Sequence, residues 1–436
     1  MKTFHWFFIL ISLWAASLFA QNDADKNYSY LQTVFNRHDK HLRDFMVAEL
    51  QNYLATFADS SHAADAQFLL GKVLDEKGKK YAAFASYLKA VIIYPGSKPY
   101  PECVDNVRYF LGKEKKVGDK KNEILRFLDS PAADSSKVDR YFTYCKMLTE
   151  FSKKEFRDQV LDALHEFSRL FPNDPRNDQI TAWMADTFFL NGDKYEADAT
   201  YQKLDIVFPA SGLLPYALYR RGELLSRKLG QHQTAVQVLG QVADRYPESE
   251  YAPQSLLLMG QIKEKKTKDY QGAKDDYGKL VENYPDDPSV YNALWAIAGI
   301  NKNKLKDYSA AINTLDEIVA KDSTNIRDIQ ALEEIAGINK KYLKDYGKAA
   351  ETLVRLVDMF PEYEKAPDRL MDAASLYEKQ LGDYQKALGY YQLVVDKFSS
   401  SKKAGDAAKR IEKLQEKVAP VAEEEKVNEE PPSQDK

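Results

Sequence analysis

The hydrophobic positions of this chain follow a helical spacing that returns about every 38 residues. Apolar or aromatic side chains fall four and seven positions after a small residue, as in Ala273, Tyr277 and Leu280. Positions with this spacing share one face of a helix, whereas a half-buried strand alternates every second residue. The pattern therefore predicts amphipathic helices along the repeated part of the chain.

The clearest sign of the repeat is a near duplication in the second half of the chain. The block Ile-Ala-Gly-Ile-Asn-Lys at 297–302 returns at 335–340, and Leu-Lys-Asp-Tyr at 305–308 returns at 343–346. Dense matches at one fixed offset indicate an internal repeat. The small residue that marks the phase of each unit recurs as Ala83, Val160, Ala197, Ala235, Ala273, Ala311, Ala349 and Ala387.

Each unit has the same internal order of signals. Eleven residues after the marker comes an aromatic residue and then proline, as in Tyr246-Pro247, and proline ends the second helix because it cannot continue one. Twelve or thirteen residues before the marker stands a small residue, such as Gly260 or Ala298, which lets two helices approach closely. Two degenerate units fit near Met46 and Ile124. The sequence thus predicts a stack of about ten helical hairpins.

This order of small residue, turn, Asp-Tyr-x-x-Ala, large residue and proline resembles the tetratricopeptide repeat over residues 28–417. The resemblance implies an all-α, right-handed superhelical solenoid. The phrase between units, Tyr246-Pro247-Glu248-Ser249 followed by Ala252, is similar to a branch of periplasmic proteins of the Gram-negative envelope. That branch includes the β-barrel assembly lipoprotein and the Tol–Pal-associated coordinator. The period exceeds the usual length of about 34 residues for this repeat, and the chain departs from both proteins in its larger number of repeats and in lacking a lipid-attachment cysteine.

The first twenty residues have a basic start, an apolar run and small residues before Ala20, which predicts a cleaved signal peptide. A membrane anchor is the alternative, but the run is shorter than the roughly 20 apolar residues of a span. No cysteine directly follows the apolar run, so we expect a secreted or periplasmic protein and not a lipoprotein. The predicted segments are 1–20 signal peptide, 21–138 irregular repeats, 139–401 regular repeats, 402–417 capping helix and 418–436 disordered acidic tail.

Composition and motifs argue against nucleic-acid binding and catalysis. The net charge is −4 with acids and bases intermixed, so no basic stripe suggests nucleic acid. No phosphate-binding glycine loop, zinc-protease motif or nucleophile elbow is present, so we predict no enzyme activity, no cofactor and no metal. Cys103 and Cys145 could pair in an oxidising compartment, although two buried thiols are favoured. Asp307, Asp345 and Asp383 recur in equivalent turns, which marks them as architecture.

The resemblance also implies that the first helices line a groove in which extended or helical partner segments bind. Aromatic residues mixed with single charges suit the capture of a peptide, because rings give contact area at a low entropic cost. Ordinary packing between helices is the alternative for about half of the candidates. The candidate groove residues are Tyr216, Tyr219, Glu223, Gln254, Leu257, Gln261, Trp295, Lys302, Glu333 and Lys340.

We therefore expect a secreted or periplasmic scaffold for protein–protein interaction in cell-envelope assembly or secretion. Its expected partners are cell-envelope proteins, including an outer-membrane complex that it would join peripherally, and the mature chain has no predicted transmembrane span. The alternative function is a regulator or glycan-binding accessory of peptidoglycan or polysaccharide enzymes. The groove candidates fit both partner classes, so the sequence does not decide between them.

Overall fold

The computed structural model describes residues 21–114, 120–129, 135–151, 154–321 and 326–418. The predicted signal peptide and residues 419–436 of the predicted tail lie outside these ranges. Within them the regular structure is helical throughout, with no strand, and two 3₁₀ turns at Lys40–Leu42 and Lys154–Phe156. The α-helices are α1 (21–35), α2 (Arg43–Thr56), α3 (Ala63–Glu76), α4 (Lys80–Ile93), α5 (Tyr100–Lys113), α6 (Lys120–Asp129), α7 (Lys137–Thr149), α8 (Arg157–Leu170), α9 (Asn177–Asn191), α10 (Lys194–Val207), α11 (Leu214–Leu224), α12 (His232–Arg245), α13 (Tyr251–Ile262), α14 (Tyr270–Asn283), α15 (Val290–Ile300), α16 (Tyr308–Lys321), α17 (Ile326–Ile338), α18 (Tyr346–Met359), α19 (Ala366–Leu376), α20 (Tyr384–Lys397) and α21 (Lys402–Val418).

In the described ranges these helices form ten consecutive hairpins, α1/α2 to α19/α20, followed by α21. The predicted all-α array of hairpins is confirmed. Every phase-marker residue is buried, which fixes the face that each second helix turns to the core. Second helices such as α10 and α18 end one residue before the aromatic residue that precedes proline, here Phe208 and Phe360.

The described residues divide into two compact units, one that ends at Val238 and one that begins at Leu239. In the first unit α4 packs against α3, α5 and also α7, while α5 and α6 contact each other sparsely. In the second unit one continuous core runs from α13 to α21. This division follows packing, whereas the predicted boundary between residues 138 and 139 follows the regularity of the sequence, so that boundary stays a prediction.

Five first helices end in a short π-helical turn, in which each backbone N–H reaches back five residues instead of four. In the second unit the backbone N–H of Lys306 donates to the carbonyl of Asn301, and that of Asp307 donates to the same carbonyl at 2.9 Å. A left-handed residue then reverses the chain. The five π-turns are Leu225–Leu229, Lys263–Thr267, Asn301–Leu305, Asn339–Leu343 and Tyr377–Leu381.

The repeated aspartates, which were predicted to be part of the architecture, cap the second helices. The Asp307 carboxylate accepts the backbone N–H of Ala310 at 2.9 Å, and Asp345 accepts that of Lys348 at 3.0 Å. Such a bond satisfies one of the backbone donors left free at a helix start.

The predicted close approach at the small residue is confirmed too. A Cβ added to Gly260 would lie 2.5 Å from the Tyr277 ring, so only glycine fits beneath that ring.

Three further predictions concern cysteines, metals and membrane spans. Cys103 and Cys145 are both unpaired and buried, and burial raises the pKa of the Cys103 thiol to about 12. Across the described ranges, no three His, Cys, Asp or Glu side chains are grouped as metal ligands would be. Among the same residues, no helix has both the length and the apolar character that crossing a membrane requires.

Candidate functional site

The groove candidates of the first unit belong to a polar cluster on α9, α10 and α11. The Tyr216 hydroxyl donates to both carboxylate oxygens of Asp186 at 2.8 Å, and the Tyr201 hydroxyl donates to one of them at 2.6 Å. Burial raises the pKa of the Asp186 carboxyl, and the two tyrosine hydrogen bonds oppose that shift. Tyr216 is therefore tied into the unit's own structure, and its replacement would leave a half-buried carboxylate short of a donor.

The rest of this cluster is held by arginines. The Glu223 carboxylate forms ion pairs with Arg220 at 2.6 Å and with Arg227 at 2.8 Å. The Arg220 guanidinium lies 4.1 Å above the Phe189 ring centroid. Tyr219 is half-buried, and burial raises its pKa. The structure thus brings these candidates together as a rigid polar surface, with their charges already partnered.

In the second unit four candidates line two matched pockets, which we call the twin pockets. The first, of about 250 Å³, contains Trp295 and Lys302. The second, of about 240 Å³, contains Glu333 and Lys340. Each pocket is bounded by consecutive first helices and by the second helix of the earlier hairpin. Seven lining positions correspond at the offset of 38: residues 295, 298, 299, 302, 315, 334 and 338 in the first pocket and residues 333, 336, 337, 340, 353, 372 and 376 in the second.

The flanking hairpins of this unit show why these pockets exist. There the position equivalent to Leu315 and Leu353 is a tyrosine, and its ring fills the space between the two helices of the hairpin. The Tyr277 hydroxyl donates to Glu264 at 3.1 Å, and the Tyr391 hydroxyl donates to Glu378 at 2.7 Å. In the pocket hairpins leucine replaces the ring and lysine replaces the glutamate acceptor. The open volume therefore lies where a smaller side chain stands in for tyrosine.

The charges of the twin pockets are partly compensated from within the unit. Lys302 pairs with Glu334 across the first pocket. In the second, Glu333 accepts Arg369 at 2.8 Å and the Tyr363 hydroxyl at 3.1 Å, whereas Lys340 is exposed. Each pocket therefore combines an aliphatic lining with one lysine and with charged side chains from the following first helix.

The other three candidates lie outside these pockets. Gln254 is exposed on α13, Gln261 is half-buried, and Leu257 packs partly buried against the core. They remain predictions of partner contact.

Sequence reasoning missed a larger cavity in the first unit. It measures about 470 Å³ and is lined by α2, α3, α4, α7 and α8, with Leu54 and Leu70 on its apolar side. Its polar side carries an ion pair at 2.5 Å between Lys89 and Glu166, and burial raises the pKa of the nearby Asp162 carboxyl. No local motif could reveal it, because its residues come from five helices that meet only in the fold.

Comparison with protein families identifies the repeat. Residues 216–249, 254–287 and 370–401 match one model described as tetratricopeptide repeat, and residues 42–98 match a second model of the same description. A comparison with curated proteins gives no match.

Several solved structures resemble the chain at low identity. A tetratricopeptide repeat protein from Parabacteroides merdae is 15% identical, covering 63% of this chain and 98% of that one, with a TM-score of 0.35. The C-terminal part of a repeat protein from Cytophaga hutchinsonii is 17% identical, covering 61% and 98%, with a TM-score of 0.38. The pilF protein of Pseudomonas aeruginosa is 17% identical, covering 53% and 98%, with a TM-score of 0.34.

Proposed function

Because the chain carries tetratricopeptide repeats, we propose that it is a protein-interaction scaffold whose second unit binds a partner segment in the twin pockets. The observation that carries this proposal is the pair of matched pockets in consecutive hairpins. Two equal pockets one repeat apart suit two apolar side chains of one partner segment, each entering beside a lysine. Small, well-packed anchor pockets of this kind supply most of the binding energy of many interfaces.

The chemistry of the pockets favours a peptide over a glycan. Ala298, Leu315 and Ile338 give the first pocket an aliphatic lining, and Trp295 is half-buried against the core. Aliphatic pockets take up apolar side chains, whereas a sugar ring is held by an exposed aromatic face. No group in either pocket is assigned a catalytic role.

The proposed setting is the periplasm or the outside of the cell, with cell-envelope proteins as partners in assembly or secretion. This part of the proposal is supported by the signal-like residues 1–20 alone. Expression of the full chain in a Gram-negative host, followed by N-terminal sequencing of the periplasmic fraction, tests it. A mature start at Gln21 supports the proposal, and an uncleaved cytoplasmic product contradicts it.

The test of partner binding fills the pockets with the two side chains that close the flanking hairpins, a tyrosine and its glutamate acceptor. Leu315→Tyr with Lys302→Glu, together with Leu353→Tyr and Lys340→Glu, supplies both the ring and its hydroxyl acceptor. Wild-type and pocket-filled proteins are used as bait in envelope extract, and captured proteins are identified by mass spectrometry. We expect a discrete partner that is lost at least tenfold from the filled variant.

A matched control changes two exposed lysines on second helices, Lys279→Gln and Lys321→Gln. It should capture the partner at the wild-type level. Equal capture by wild type and the pocket-filled variant would contradict the assignment of the pockets.

A further inference from the structure

The π-turns of three consecutive hairpins in the second unit present a row of exposed lysines, which we call the lysine ridge. The turn aspartates Asp269, Asp307 and Asp345 are engaged as helix caps. Within the described part of the chain, no lysine of the ridge forms an ion pair. The ridge consists of Lys265, Lys266, Lys268, Lys304, Lys306, Lys340, Lys341 and Lys344.

Three of these lysines occupy backbone positions that favour glycine. Lys268, Lys306 and Lys344 have φ of 61°, 59° and 57°, while the equivalent positions in the hairpins before and after are Gly230 and Gly382. A β-carbon makes this left-handed conformation costly. Attraction of lysine to a helix C-terminus offsets part of that cost, but it would act equally in the two turns that have glycine. The lysine charge is therefore present in three turns although the left-handed backbone there favours glycine. This points to a role of the charge other than in the backbone conformation.

A ladder of aromatic rings runs beside the ridge. Lys304 Nζ lies 5.6 Å from the Tyr270 ring centroid, and the Tyr308 and Tyr342 rings stack at 4.6 Å. Tyr384 is the equivalent tyrosine of the last hairpin, and Lys417 Nζ lies 5.9 Å from its ring centroid. The last turn of α21 therefore lies against the second helix of the last hairpin, one hairpin beyond the ridge, and residue 419 follows Val418 in the chain.

The segment that begins at this point is acidic. Residues 419–436 contain six acidic side chains against two lysines: Glu423, Glu424, Glu425, Glu429, Glu430 and Asp435. An extended stretch of this length spans roughly 60 Å. Packed helices lie about 10 Å apart, so the three hairpins of the ridge are within its reach.

We propose that residues 419–436 dock along the lysine ridge of the same chain. The opposite charges meet within the screening length of about 10 Å at 0.1 M salt. The covalent tether keeps the carboxylates at an effective concentration of about millimolar near the ridge, so weak individual pairs suffice. The docking itself does not depend on the pockets binding a partner.

Zero-length carbodiimide cross-linking of the full chain tests this placement, because it joins only carboxylates and lysines that are in contact. We expect mass spectrometry to find cross-links from Glu423–Glu430 to the ridge at low salt. Their yield should fall at least fivefold at 0.5 M salt. It should fall equally in a ridge variant with four substitutions: Lys304→Gln, Lys306→Gln, Lys341→Gln and Lys344→Gln.

The control removes four exposed lysines of the same unit away from the π-turns: Lys279→Gln, Lys321→Gln, Lys365→Gln and Lys397→Gln. Its ridge cross-links should stay within twofold of wild type. Cross-links spread evenly over the lysines of the unit would overturn the proposal. Mixing isotope-labelled and unlabelled chains shows whether the docked segment belongs to the same chain as the ridge. Ridge cross-links found only between labelled and unlabelled chains would overturn docking within one chain.

Discussion

A single position, four residues after the phase marker, decides how each hairpin of the second unit is closed. Where it is tyrosine, as at Tyr277, the ring lies over a small residue and the hydroxyl reaches a glutamate. Where it is leucine, as at Leu315, the partner position is lysine and a pocket remains. The tyrosine and its glutamate acceptor are replaced together, by leucine and lysine, because the hydroxyl of the ring needs the acceptor.

The fit beneath the Tyr277 ring predicts that Gly260→Ala is destabilising. The added methyl would overlap the ring, so the free energy of unfolding should fall by about 1–3 kcal/mol, as for other overpacked sites. Gly389→Ala in α20 is the matched control, since its Cβ meets nothing within 4 Å and alanine favours helix. Chemical denaturation measures both, and a neutral Gly260→Ala would contradict the described packing.

At the scale of the element, a π-turn ends the first helix of five hairpins. The left-handed residue that follows the turn lets the chain reverse into the aspartate cap of the second helix. Neighbouring residues therefore supply three features of the connection: the widened last turn of the first helix, the reversal of the chain and the cap of the second helix.

The reversal predicts opposite effects for two neighbouring substitutions. Lys306→Gly removes the β-carbon from a left-handed backbone position and should stabilise the protein by about 0.5–1 kcal/mol. Lys304→Gly lies inside the π-turn with a helical backbone and should destabilise by about 1 kcal/mol. Denaturation at high salt measures both with the charges screened. Equal effects would show that backbone strain is absent at Lys306.

At the scale of the molecule, both units bury tyrosines whose hydroxyls must stay protonated. Burial raises the pKa of Tyr28 to about 12, and it raises the pKa of Tyr277 further, with Glu264 adding to the shift. Above about pH 10 the unfolded chain loses tyrosine protons that the native chain retains. The free energy of unfolding should therefore fall as the pH rises beyond that point.

Each such tyrosine should contribute up to about 1.4 kcal/mol per pH unit to this loss. Urea denaturation between pH 8 and pH 11 measures it, and the tyrosinate absorbance of the buried rings should appear together with unfolding. Tyr277→Phe should reduce the slope, while Tyr109→Phe, at a ring that is 68% exposed, should leave it unchanged. A flat profile up to pH 11 would contradict the burial of these hydroxyls.

The sequence predicted the repeated elements well because their signals are local. Helical spacing, the aromatic-proline stop, the glycine beneath the tyrosine ring and the aspartate caps act within one hairpin. The candidate site was harder to predict. Trp295, Lys302, Glu333 and Lys340 do meet in pockets, but the partners Glu334 and Arg369 come from the following hairpin.

The sequence by itself determined that this chain is an array of helical hairpins, since each hairpin is specified by residues close together in the chain. The duplicated block at 297–302 and 335–340 even marked the two hairpins that hold the twin pockets. Only the tertiary structure decided that these blocks enclose pockets, that Tyr216 is tied to Asp186, and that a cavity opens in the first unit. Those features depend on volume and charge shared between helices far apart in sequence, which no single repeat contains.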